Sequence, residues 1–265
     1  MDTTHTDAYL RRIGVPRPEG PTPQALRELH LAHQRTVPFE NLSLHLGEPL
    51  TLTGDALVAK VVDRHRGGFC YELNGAFLAL LGALGYRATP LQARVYGRDG
   101  GLGIPYDHMA LRVDTGDGRA LLADVGFGDL SDHPLALDTP GREQHDPAGT
   151  FTVAPAGDGT DDLDVYAGER PRYRLEQRPR RLRDFTAAAW YHRTCPDSGF
   201  TRSLVCSLRT PDGRITLGGR TLKRTTADTS VSEELADDTA VLAAYRDHFG
   251  IELDRVPEVA EAFRT

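Results

Sequence analysis

Residues Arg66–Phe77 read RGGFCYELNGAF, and the setting of the one cysteine in that stretch decides how the chain is read. Leu57, Val58, Val61 and Val62 have helical spacing and run into the diglycine Gly67–Gly68. A second helix is expected to begin at Phe69 or Cys70, with Phe69, Leu73, Ala76, Phe77, Leu80 and Leu84 as its apolar stripe. Cys70 then stands at a helix N-terminus, where the positive ends of the peptide dipoles lower a thiol pKa. The diglycine gives the chain a sharp approach and leaves room for a ligand beside the sulfur. A lone cysteine near a helix start is more often a small buried hydrophobe, so a nucleophile needs a base to go with it.

Ten histidines are available. His108 lies in YDHMALRVDTGDGRALLADVGFG, which reads as a hairpin. With Asp114 and Gly118 flanking a loop of Thr115, Gly116 and Asp117, the register sets His108 directly opposite Asp124 on one face. Asp124 interrupts the apolar run LLADVGF, and a buried carboxylate there needs a partner. The alternative places Asp124 in water at a strand end and His108 as filler in a barrel wall. His65, close to Cys70 in sequence, is the second candidate base. Arg64 and Arg66 are expected to pair with Glu40 or Glu72 and hold the cysteine loop. His30 and His33, three apart on a helix, lack the further ligands of a zinc site, and no metal site is read.

Outward from these motifs, residues 1–86 are mostly helical in pattern. From Tyr86, short alternating runs punctuated by Gly, Pro and Asp suggest an antiparallel sheet or barrel of hairpins. After Trp190 come two more strand-like runs and a helix, for which Ser230 and Glu233 have capping-box spacing. The expected class is α+β: a helical bundle over 1–86 carrying the cysteine, a β-barrel over 87–189 carrying His and Asp, and an α/β lid over 190–265. The 265 residues carry a formal charge of −7, which argues against nucleic acid as a main partner. No secretory signal and no run of roughly 18 apolar residues is present. The three cysteines, Cys70, Cys195 and Cys206, do not all pair within one chain. A cytoplasmic protein with reduced thiols, monomeric or homodimeric and apart from membranes, is the expectation.

The motif RGGFCYELN resembles the cysteine motif of the arylamine N-acetyltransferases, and PFENL at 38–42, HMALRV at 108–113 and DVGFG at 124–128 extend the likeness. TCPDSGF at 194–200 resembles a family segment that commonly has histidine where Cys195 stands. The resemblance implies the three-part fold and a Cys70–His108–Asp124 triad. It also implies ping-pong acetyl transfer from acetyl-CoA, as cosubstrate and not as a tightly bound cofactor, to an arylamine or hydrazine. By the same resemblance Phe39, Val95, Phe127 and Phe200 line the acceptor pocket, and Gly126 and Gly128 belong to a donor-side loop near CoA. Two other readings keep the triad: an amide synthase releasing a carrier-bound ansamycin-type polyketide, and a cysteine hydrolase or transglutaminase-like enzyme.

Overall fold

A computed structural model describes residues 1–263. Four helices form the first layer: α1 (Thr3–Ile13), α2 (Pro23–Thr36), a short α3 (Leu42–His45) after the two-residue strand β1 (Phe39–Glu40), and α4 (Gly54–Val62). Asp2 and Thr22 cap α1 and α2 by accepting from His5 and Ala25 N–H. The next helix, α5 (Cys70–Ala83), starts where the sequence pattern sets it. Its expected single stripe is too narrow. Every residue from Cys70 to Phe77 is buried, because α5 packs on the other helices, on the barrel and on the C-terminal part at once.

The barrel is built from β2 (Arg87–Val95), β3 (His108–Asp114), β4 (Ala120–Ala123), β5 (Leu135–Ala136), β6 (Glu143–Asp146), β7 (Gly149–Pro155), β8 (Leu163–Ala167) and β9 (Arg170–Leu175). These form one antiparallel sheet in the order β5-β4-β3-β2-β9-β8-β7-β6. Side chains close its seam: Gln144 on β6 accepts from Ala136 N–H and donates to Ala136 C=O on β5. Strand alternation divides the side chains cleanly. Leu111, Val113, Leu121 and Ala123 pack on the helices, while Ala110 and Leu122 pack inside the barrel with Tyr173.

The β3–β4 hairpin differs in register from the sequence reading. Asp114 pairs with Ala120, Thr115 N–H bonds Arg119 C=O, and Gly118 takes the left-handed position with φ +85° inside the loop. The shift moves Asp124 past the end of β4, on the line of Ala110 and one step along from His108. A displacement of two residues preserves the face, so His108 and Asp124 still meet.

The remaining elements are α6 (Thr186–Thr194), α7 (Gly199–Arg202), β10 (Cys206–Thr210), β11 (Gly213–Gly218), β12 (Thr221–Thr226), β13 (Ser230–Glu234) and α8 (Asp238–Phe249). A five-stranded sheet runs β1-β10-β11-β12-β13, so Phe39 and Glu40 are stitched onto the C-terminal part through Ser207 and Cys206. Ser230 and Glu233 belong to the edge strand β13 and do not cap α8. Asp237 does, accepting from Ala240 N–H at 2.9 Å. No helix among the described residues is long and apolar enough to cross a membrane.

A buried charge network braces the approach to Cys70. Lys60 Nζ lies 2.6 Å from Glu72 Oε1, and Arg66 pairs with Glu40 and Glu48 at 3.0 Å each. Arg64 takes no part and is exposed, so Lys60, not Arg64, answers Glu72. The diglycine serves packing, not ligand space: a Cβ on Gly67 would sit 1.8 Å from the Pro38 carbonyl oxygen, and one on Gly68 would strike Glu72. Removing one member of a buried pair strands the other's charge, so Arg66→Ala should lower the unfolding free energy by about 3 kcal/mol. Arg64→Ala should change it by less than about 0.5 kcal/mol. Urea unfolding of both variants checks the contrast.

Candidate active site

Three elements converge on the cysteine. Cys70 opens α5, His108 opens β3, and Asp124 follows β4. Their exposures are only 4%, 2% and 3%, so their charges interact with little screening by water. His108 Nε2 is 2.7 Å from Asp124 Oδ2, and the imidazole lies close enough to the Cys70 side chain for each to shift the other's proton affinity. Asp124 Oδ1 accepts from Asn74 Nδ2 at 2.9 Å and from Gly126 N–H at 3.1 Å.

Burial works against charging His108, but the adjacent Asp124 carboxylate prevails and carries the imidazole up to about 10. Burial likewise opposes ionising Asp124, and His108 more than offsets it, holding the carboxyl below its usual range. The thiol is less simple than its place at a helix start suggests. Burial pushes Cys70 up, while the adjacent His108 imidazole and the Met109 backbone pull it back.

The sulfur and imidazole face a cleft of about 570 Å³. Phe39, Val95, Phe127 and Phe200 all line it, and Gly126 does too. Gly126 is also needed for packing, since a Cβ there would come within 2.9 Å of the Cys70 backbone. Gly128 lies off this cleft, in the left-handed conformation behind the Phe39 ring. His65 is exposed and takes no part. Cys206 is buried in the C-terminal core, while Cys195 is half-buried beside α6.

Several supporting residues escape a reading of spacing alone. Asn74, one helical turn beyond Cys70, donates to Met109 C=O and Asp124 and accepts from Val125 N–H. Its i+4 position relative to the cysteine is the one available signal. His30, set aside as a possible metal ligand, accepts from Asp124 N–H with Nε2 and donates Nδ1–H to Asp132 C=O. Burial lowers it to about 4, so it serves as a neutral hydrogen-bonding strut. Nothing in a sequence links positions 94 residues apart.

Against known proteins, a family model described as N-acetyltransferase matches residues 22–258. Fold and family model together define an acyl-transferring enzyme. The arylamine N-acetyltransferase of Mycolicibacterium smegmatis is 36% identical over 259 residues, covering 92% of this chain and 91% of its own. A solved structure of the M. smegmatis arylamine N-acetyltransferase superposes with a TM-score of 0.87 at 34% identity, covering both chains fully. The Mycobacterium marinum arylamine N-acetyltransferase in complex with CoA gives 0.84 at 32% identity, covering 93% of this chain and 92% of its own. The chain belongs to the arylamine N-acetyltransferase family.

The raised His108 has a consequence for stability. A histidine lifted from 6.5 to about 10 binds its proton more tightly when folded. Its contribution is therefore complete below pH 6.5 and is lost as pH rises through about 10. Unfolding free energy measured across this window should fall with pH, and the fall should flatten markedly in Asp124→Asn. A variant with the wild-type slope would refute the assignment of that slope to this pair.

Proposed function

We propose that this protein acetylates arylamines and arylhydrazines with acetyl-CoA, through an acetyl thioester on Cys70. The observation that carries the reading is the buried Asp124–His108 pair beside a cysteine that opens onto a large aromatic-walled cleft. The thiolate of Cys70 attacks the thioester carbonyl of acetyl-CoA, and the C–S bond to CoA breaks. The departing CoA sulfur takes the proton held on His108. An amine nitrogen then attacks the acetyl-cysteine, His108 accepts the proton it loses, and the Cys70 thiolate leaves, regenerating the charge pair. Asp124 fixes the imidazole and stays ionised throughout.

Phe39, Phe127 and Phe200 suit a flat arylamine, which gains from burial against rings, and Val95 extends that wall. We assign the donor side to the Gly126–Gly128 loop: at Gly126 a side chain would strike the Cys70 backbone and the Asn74 amide, so glycine lets the loop lie directly against the start of α5. Family membership and the relative solved in complex with CoA support acetyl-CoA over a carrier-bound polyketide donor.

Incubation with acetyl-CoA alone should add one acetyl group to Cys70, seen by intact mass and peptide mapping. A neutral arylamine such as 4-methoxyaniline, or a hydrazide, should then discharge it. His108→Gln and Asp124→Asn should slow acetylation by at least about a hundredfold, the lower end of what a positioned base contributes. Folded protein with an alkylatable Cys70 that acquires no acetyl group would overturn the proposal.

A further inference from the structure

Beside the cysteine, the cleft holds a second histidine–carboxylate pair that the acyl-transfer steps do not use. His192 on α6 brings Nε2 to 3.1 Å from Asp107 Oδ1, and both residues line the cleft. The contact is close but poorly aligned, which leaves Nε2 buried without a hydrogen-bond acceptor. His192 is 6% exposed, and its ring is packed by Tyr71, Tyr191 and Phe200. Its Nδ1 reaches Ser198 Oγ at 3.3 Å. Val95 N–H donates to the second oxygen of Asp107 at 3.2 Å, so neither side chain is free to swing away.

Asp197 lines the same cleft at its exposed rim. Among the described residues, no Lys or Arg lines it. Nearby guanidinium groups are engaged elsewhere: Arg172 sits over the Phe127 ring and pairs with Asp129, and Arg202 donates to the Asp197 carbonyl. Two carboxylates face the one imidazole of this wall, and the charge of His108, which also lines the cleft, is matched by Asp124 behind it. A histidine N–H alone would welcome an anionic ligand, but Asp107 at 3.1 Å cancels that attraction. The cleft therefore presents aromatic rings and a local excess of negative charge.

We propose that Asp107, held against His192, and Asp197 make this cleft select against amines that carry a carboxylate and in favour of neutral or cationic arylamines and hydrazines. This deepens the acyl-transfer reading by naming its acceptor class, and rests on it for the acceptor role alone. A carboxylate entering the cleft meets the like charge of Asp197 at the rim and of the largely water-shielded Asp107 further in. A neutral amide or hydrazide meets no such repulsion and offers a partner for the unmatched Nε2.

The pair 4-aminobenzoate and 4-aminobenzamide differs in charge with little change of shape. Binding to the unacylated protein is read as protection of Cys70 from iodoacetamide. The amide should half-protect at a concentration about tenfold lower than the benzoate, a like-charge effect of the expected size. The same preference should appear in kcat/KM for acetyl transfer. Asp107→Asn and Asp197→Asn should each shrink the ratio at least about threefold. The ratio is taken within one protein, so a general loss of activity cancels. Equal protection by the two ligands in the wild type, or a ratio unmoved in both variants, overturns the proposal. A preserved protection ratio in protein that fails to transfer acetyl from Cys70 would count against the acyl-transfer reading alone and leave the selective wall supported.

Discussion

The carboxylate of Asp124 is the constraint on which the rest of this structure depends. A carboxylate with 3% exposure costs several kcal/mol to desolvate unless its oxygens are matched by donors. Here the match comes from separate parts of the chain: His108 from the start of β3, Asn74 from α5, and Gly126 N–H from the loop that follows. Its own backbone N–H is taken by His30 of α2. The site is thus assembled by the need to satisfy one buried charge, and each element that answers it is positioned relative to the sulfur.

The same economy explains the second buried charge cluster. Lys60, Glu72, Glu40 and Arg66 lie on four separate segments of the N-terminal half, and each is nearly fully buried. Glu72 accepts from Phe69 N–H, and Glu40 accepts from Leu42 N–H. One carboxylate therefore fixes the entry to α5, and the other fixes the start of α3. Glu40 also lies on β1, which pairs with β10. The ion pairs hold the cysteine loop to the strand whose neighbour, Phe39, forms the cleft wall, and Gly67 permits that contact because any side chain would collide with Pro38.

Much of this was legible in the residues. Helix boundaries around Cys70 follow from Gly67–Gly68 and the apolar run, and the hairpin follows from TGDG between two alternating segments. The facing of His108 and Asp124 survived an error in register because strand faces repeat every two residues. Other features are settled only by tertiary packing. The chemistry of His30 lies in a contact with a loop 94 residues away. Ser230 and Glu233 have capping spacing, yet β12 offers that segment a ladder of hydrogen bonds, so it pairs as a strand. The thiol pKa depends on burial by the barrel, the helices and α6 together, whereas a helix N-terminus is visible locally.

In the two-step transfer we propose, the charge balance around Cys70, His108 and Asp124 changes with the state of the cysteine. Beside a free thiolate, His108 is held in its protonated form by two anions, since both Asp124 and Cys70 favour the imidazolium. Acylation removes the sulfur's charge and leaves Asp124 as the single anionic partner. The imidazole then gives up its proton more readily to the departing CoA thiolate and is left neutral. In that form it can take a proton from the attacking amine. When the thiolate returns, the second anion restores the imidazolium. In the proposed transfer one fixed histidine is thus tuned as acid and then as base by the charge it shares with Cys70, and this tuning requires the low exposure that makes Asp124 so costly to bury.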